Sequence, residues 1–184
     1  MKRQVDFFQN PGRENTARCI EIITELVKEG IKDFVVASTG GETGVLAAEA
    51  LEGTGGNLVV VGHSVGLRSP SQDEFQPANE KRIIELNGRV FKGTILTSGL
   101  AAVFSNDHPS RIVANTLRRL GQGMKVCVEI VMEACDAGLI EEDREVAAVA
   151  GTGRGADTVT LIRSKASKRF LELVVLEILA KPRG

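Results

Sequence analysis

Short apolar runs alternate along the chain with longer stretches whose apolar residues recur at helical spacing. Phe34–Ala37, Leu58–Val61, Val146–Ala150 and Thr158–Ile162 are rich in Val, Ile, Leu and Ala, the pattern of strands buried on both faces. Val90–Leu96, interrupted by Gly93, and Leu173–Leu179 extend the set of expected strands. Asn15 and Thr16 can cap a helix that places Cys19, Ile20, Ile23, Leu26 and Val27 on one face and ends at Gly30. An Ala/Leu-rich helix follows Gly44, and a short one spans Asn79–Leu86 before Gly88. Asp107 and Pro109 mark the start of another, running through Ile112, Val113, Leu117 and Leu120. Lys125–Asp136 is apolar nearly all round except at Glu129, Glu133 and Asp136. One thin polar stripe predicts a helix buried on most of its surface, and Gly138 closes it. Residues 1–14 show no period, although Phe7 and Phe8 are expected to pack.

Strands and helices alternating at this length predict a three-layer, doubly wound α/β fold with a mostly parallel sheet. Ligands of such sheets sit beyond the carboxyl ends of the strands. Ser38–Gly44, His63–Ser64, Gly121–Lys125 and Gly151–Asp157 are therefore expected to converge at one edge. The 184 residues read as a single domain, 1–184, without internal repeats. Residues 63–77, HSVGLRSPSQDEFQP, form a polar connection with two prolines. Connections beyond about 12–15 residues are unusual, which makes this segment a candidate lid.

Composition removes several function classes. A net charge of −1 leaves no electrostatic footprint for nucleic acid, and seven Phe without Trp or Tyr supply few stacking platforms. The opening MKRQVDFFQNPG lacks an apolar signal core, and no run approaches the roughly 20 apolar residues of a membrane span. Cys19, Cys127 and Cys135 form no metal spacing and read as small buried hydrophobes of a reducing compartment. These features lead us to expect a cytoplasmic protein with no membrane or nucleic-acid partner. The apolar strand Leu173–Leu179 offers an edge that could pair in a homo-oligomer.

Candidate chemistry concentrates in glycine-rich loops. In FVVASTGGETG, residues Ser38, Thr39, Gly40, Gly41, Thr43 and Gly44 join an expected strand to a helix N-terminus. Free N–H groups, hydroxyls and the positive end of the helix dipole favour a phosphate there. A tight turn that needs glycine for its backbone angles is the alternative. The later loop supplies Gly151, Thr152, Gly153, Arg154, Gly155, Asp157 and Thr158. Its G-x-G-x-x-A spacing is followed by a strand, where a dinucleotide fingerprint requires a helix. Such a loop can still wrap a phosphate through backbone N–H groups, or serve as a wide hairpin turn. Gly123 precedes Lys125, whose charge in a first helical turn opposes the dipole and favours an anion partner, unless it snorkels. His63 can hydrogen-bond a ligand or local backbone. Gly62-His63-Ser64-Val65-Gly66 has the spacing of a nucleophile elbow, with His108 the sole downstream histidine. A serine hydrolase expects a helix directly after Ser64, whereas Leu67–Pro77 contains two prolines. No P-loop occurs, and no carboxylate pair or His/Cys/Asp cluster stands out as an acid–base or metal site. No catalytic residue is assigned.

The stretches NPGRENT, VVASTGGETG, VVVGHSVG, TLRRLGQGMKVCVEI, ACDAGLI and GTGRGADT together resemble the C-terminal α/β domain of pyruvate kinase. They resemble more closely the stand-alone proteins of that superfamily, found mainly in archaea and some bacteria. The resemblance covers most of the chain. It implies a phosphorylated effector gripped by Ser38, Thr39, Gly40, Gly41 and Thr43, with Gly151–Thr158 closing over it. The catalytic metal, potassium and phosphoenolpyruvate sites of pyruvate kinase belong to a barrel of ~250 residues. The chain shows no such barrel, so kinase activity is not expected. The stand-alone relatives suggest a nucleotide-sized ligand such as flavin mononucleotide, or a sugar phosphate, in the same cleft. A flavin-dependent enzyme is the further alternative.

Overall fold

A computed structural model describes residues 3–97 and 108–184. Asp107, expected at a helix start, lies outside the described residues. The elements run β1 (Asp6–Phe8), α1 (Thr16–Lys28), β2 (Asp33–Ala37), α2 (Glu42–Ala50), β3 (Asn57–His63), α3 (Pro77–Glu85) and β4 (Arg89–Gly93). They continue with α4 (Pro109–Arg118), α5 (Gln122–Asp136), β5 (Glu145–Ala150), β6 (Thr158–Arg163) and β7 (Val174–Pro182). Single 3-10 turns occupy Arg13–Asn15 and Ser167–Glu172.

The seven strands form one sheet in the order β1-β7-β6-β5-β2-β3-β4. Pairs β1·β7, β2·β3, β2·β5 and β3·β4 are parallel, and β6 runs antiparallel to both its neighbours. The sheet is thus mostly parallel. Successive strand residues serve opposite faces. Phe34 and Val36 pack with Cys19, Ile23, Leu26, Ala47 and Ile83 of α1, α2 and α3, while Val35 packs with Cys127, Val128 and Val131 of α5. Helices therefore cover both faces, giving three layers, which explains why the central strands read as continuous apolar runs.

Four boundaries differ from the sequence expectation. β4 stops at Gly93 rather than Leu96, and its last residue packs too closely on Phe91 and Glu133 to carry a side chain. A Cβ at Gly93 would lie 2.4 Å from the Phe91 ring and 3.0 Å from Glu133 Oε2. β1, with three residues, is too short for a period, yet it pairs with β7 through Asp6 opposite Ala180. β7 consequently lies inside the sheet. β1 meets β7 at Ala180–Pro182, just past the stretch Leu173–Leu179 that was expected as a free edge. Finally, α5 begins at Gln122 and carries Lys125 beyond its unpaired first turn, since the Lys125 N–H already donates to the Gly121 carbonyl at 3.3 Å. Among the described residues no helix is long and apolar enough to cross a membrane.

β2 neighbours β3 on one side and β5 on the other, while the helix after β2 and the helix before β5 lie on opposite faces. Such a switch point opens a crevice at the carboxyl ends of the strands.

Candidate ligand cleft

A cavity of about 480 Å³ occupies that crevice, within the roughly 300–1,000 Å³ typical of small-molecule sites. Its walls come from the ends of β2, β3 and β4, the N-terminal half of α2, α5 and the loop after β5. Of the residues singled out in the sequence, Ser38, Thr39, Gly40, Thr43, His63, Lys125, Gly151, Gly153, Arg154 and Gly155 line it. Gly41, Gly44, Ser64, Gly123, Thr152, Asp157 and Thr158 lie outside its lining.

Most of these seven have structural work. Gly41 caps α2 at a left-handed φ of 97°, where a Cβ would stand 2.6 Å from that of Asn79 and 2.8 Å from the Phe75 ring. The Gly40 carbonyl accepts from the Gln76 N–H at 3.1 Å and from Asn79 Nδ2 at 2.8 Å. Gly44 lets α2 lie on Val60, and Gly123 seats α5 against Thr158. The buried Asp157 carboxylate, at 0% exposure, gathers the second loop. It accepts from the Thr152 N–H at 2.9 Å, the Gly12 N–H at 3.1 Å and the Thr158 hydroxyl at 2.8 Å. The Thr16 hydroxyl accepts from the Ala156 N–H at 2.9 Å. The loop spans the antiparallel β5 and β6, so it is a hairpin connection, and its backbone closes on the N-terminal segment.

That closure delivers a residue the sequence reading left out. Arg13 lines the cavity together with Arg154, and both are exposed. Among the described residues neither guanidinium is paired with a carboxylate. The exposed Glu42 carboxylate lies against Gly40 at the same mouth.

Residues 64–76 form no helix, and their second half is anchored. Phe75 is buried against Gly41 and Gly62. Lys92 pairs with Asp73 at 2.9 Å and Glu80 at 2.6 Å, and its hydrogen bond holds the Asp73 carboxyl below its ordinary range. Glu74 engages His63 Nδ1 at 3.0 Å and Arg68 Nε at 3.2 Å. The nucleophile elbow is not built. The strand-to-helix turn is missing, and His108 Nδ1 lies 2.9 Å from Ser110 Oγ at the start of α4. Among the described residues no hydrogen bond joins Ser64 to His108.

The floor bears out α5 as a helix buried on most of its surface and shows where its polar stripe lies. Glu129 and Glu133 do not form a solvent stripe. With Lys125 they occupy successive turns facing the cavity, at exposures of 3%, 3% and 6% for Lys125, Glu129 and Glu133; only Asp136 reaches the surface. Lys125 forms an ion pair with Glu129. Its anion partner is therefore supplied from inside the protein. The Thr97 hydroxyl and its N–H, the latter at 3.3 Å, also donate to Glu129. Burial, then the neighbouring Glu129 charge, pushes the Glu133 carboxyl up to about 8, against the Leu96 N–H and Lys125, which favour ionisation. The available sequence signal was three charged residues four apart on an otherwise apolar helix.

No protein-family model matches the chain. Among the described residues no group of three or more His, Cys, Asp or Glu side chains is placed to hold a metal ion.

Proposed function

We propose that the chain binds a phosphate-bearing small molecule in this cleft, as a ligand-binding domain without chemistry of its own, like the effector domain of pyruvate kinase that its motifs resemble. One observation carries the reading. Two glycine-rich loops meet the Arg13 and Arg154 guanidiniums, which among the described residues pair with no carboxylate, at one mouth of the cavity. Backbone N–H groups and planar guanidinium forks are the groups that recognise phosphate oxygens. The cavity suits a nucleotide or a sugar phosphate. For flavin mononucleotide, Ile95, Val126 and Ile130 would flank the ring with aliphatic surface in place of an aromatic stack.

Mass spectrometry of whatever small molecule denatured protein releases, followed by thermal shift with that class of phosphates, tests the reading. Thr39→Ala and Arg154→Met are each expected to weaken binding about tenfold, the value of one charge-assisted hydrogen bond. Unchanged affinity in both variants would overturn it.

A further inference from the structure

The cavity has two chemically different ends. Its mouth carries Arg13, Arg154 and the exposed Glu42, while its floor is the Lys125–Glu129–Glu133 face of α5. Buried charges come in pairs because an isolated ion in a poorly polarisable interior is costly. Lys125 and Glu129 satisfy one another. Glu133 has no such partner. Its carboxyl lines the cavity at 6% exposure, and the hydrogen bond it receives comes from the Leu96 backbone N–H. Among the described residues no cation pairs with it.

The charged groups on the other walls are committed or exposed to solvent. His63 and Arg68 both engage Glu74, and the two free guanidiniums belong to the exposed mouth. On α5 itself, Asp136 adds only further negative charge. The floor thus holds one cation against two carboxyls.

We propose that this floor is a receptor for a positively charged nitrogen, so that the ligand is a phosphate ester that also carries an amine or amidine. The inference rests on the phosphate reading for the opposite end of the ligand. In the empty cavity Glu133 keeps its proton at neutral pH, with burial and Glu129 as the causes. A bound ammonium group replaces that proton: the carboxyl O–H bond breaks, the carboxylate pairs with the nitrogen and the proton leaves to solvent.

The full chain is titrated at pH 7 with aminopropyl phosphate, propyl phosphate, propylammonium chloride and potassium chloride. Calorimetry in two buffers of different ionisation heat counts the protons. Aminopropyl phosphate is expected to bind at least about tenfold tighter than propyl phosphate. It should release about 0.9 proton more, the fraction protonated at pH 7 for a group of pKa about 8. Both differences should vanish in Glu133→Gln, which keeps the side-chain shape. Equal affinity and equal proton release for the two phosphates would overturn the inference and leave the phosphate reading intact. Glu133-dependent release with propylammonium, beside no binding of propyl phosphate, would keep the floor as a receptor for charged nitrogen and overturn the phosphate ester as its ligand. The same release with potassium alone would overturn it in favour of a free ion. Silence from all four probes overturns both.

Discussion

Two helices border the cleft and begin alike, yet they offer it opposite chemistry. α2 and α5 both start behind a glycine of positive φ, Gly41 at 97° and Gly121 at 128°. α2 spans nine residues and brings its first turn and the loop before it to the mouth. α5 spans fifteen and turns a row of ionisable side chains inward. The mouth is lined by glycine-rich backbone and by exposed side chains, Arg13, Glu42 and Arg154, that water can solvate. The floor works through side chains whose burial is costly unless each charge is answered. A ligand site can therefore be cheap to build at one end and demanding at the other.

Three perturbations sharpen that contrast. The largest effect is expected from Lys125→Met, which leaves Glu129 as an unanswered buried carboxylate. Removing one partner of a buried pair costs about 3–5 kcal/mol, to be read from urea unfolding. Adding Glu129→Leu to it should recover most of the loss, and failure to recover would mean the pair is not the source. On the α2 side, Gly41→Ala must accept a left-handed backbone and a Cβ 2.6 Å from Asn79. Strain and overpacking of this kind cost about 1–3 kcal/mol, so this variant should unfold earlier but keep the floor's behaviour. The smallest effect, taken over a single pH unit, is a slope. Folded Glu133 titrates near 8 rather than at its ordinary 4.5, so between those values the folded protein holds a proton that the unfolded chain has released. Stability should fall as pH rises through that window, by at most about 1.4 kcal/mol per pH unit from this group. The difference between wild type and Glu133→Gln isolates it, and parallel pH profiles would refute the assignment.

The three layers, the central strands and the convergence of glycine loops were legible because apolar runs and glycine punctuation are local properties. β1 was not, since three residues carry no period and its place depends on β7 at the far end of the chain. Asp157 read as ligand chemistry, because an acidic residue in a glycine loop looks the same whether it faces solvent or three donors. The polar stripe of α5 correctly marked a mostly buried helix but not what the stripe faces. Periodicity reports that a helix has a distinct face, but only packing decides whether that face meets water or an internal cavity. Arg13 was hidden by sequence distance, since it joins the cavity only through the packing of Gly155 on its backbone, where an added Cβ would lie 2.5 Å from the Arg13 Cα.

The Asp157 anchor has a further consequence for how this pocket can vary. Because one carboxylate fastens both the Gly12 segment and the 151–157 hairpin, with Thr16 holding Ala156 beside it, Arg13 and Arg154 share one anchorage. A variant that loosens this anchorage would disturb the backbone beneath both guanidiniums at once, whereas one that spares it can exchange either arginine by itself. Engineering of ligand preference at the mouth should therefore hold Asp157 constant and vary the two arginines as independent dials.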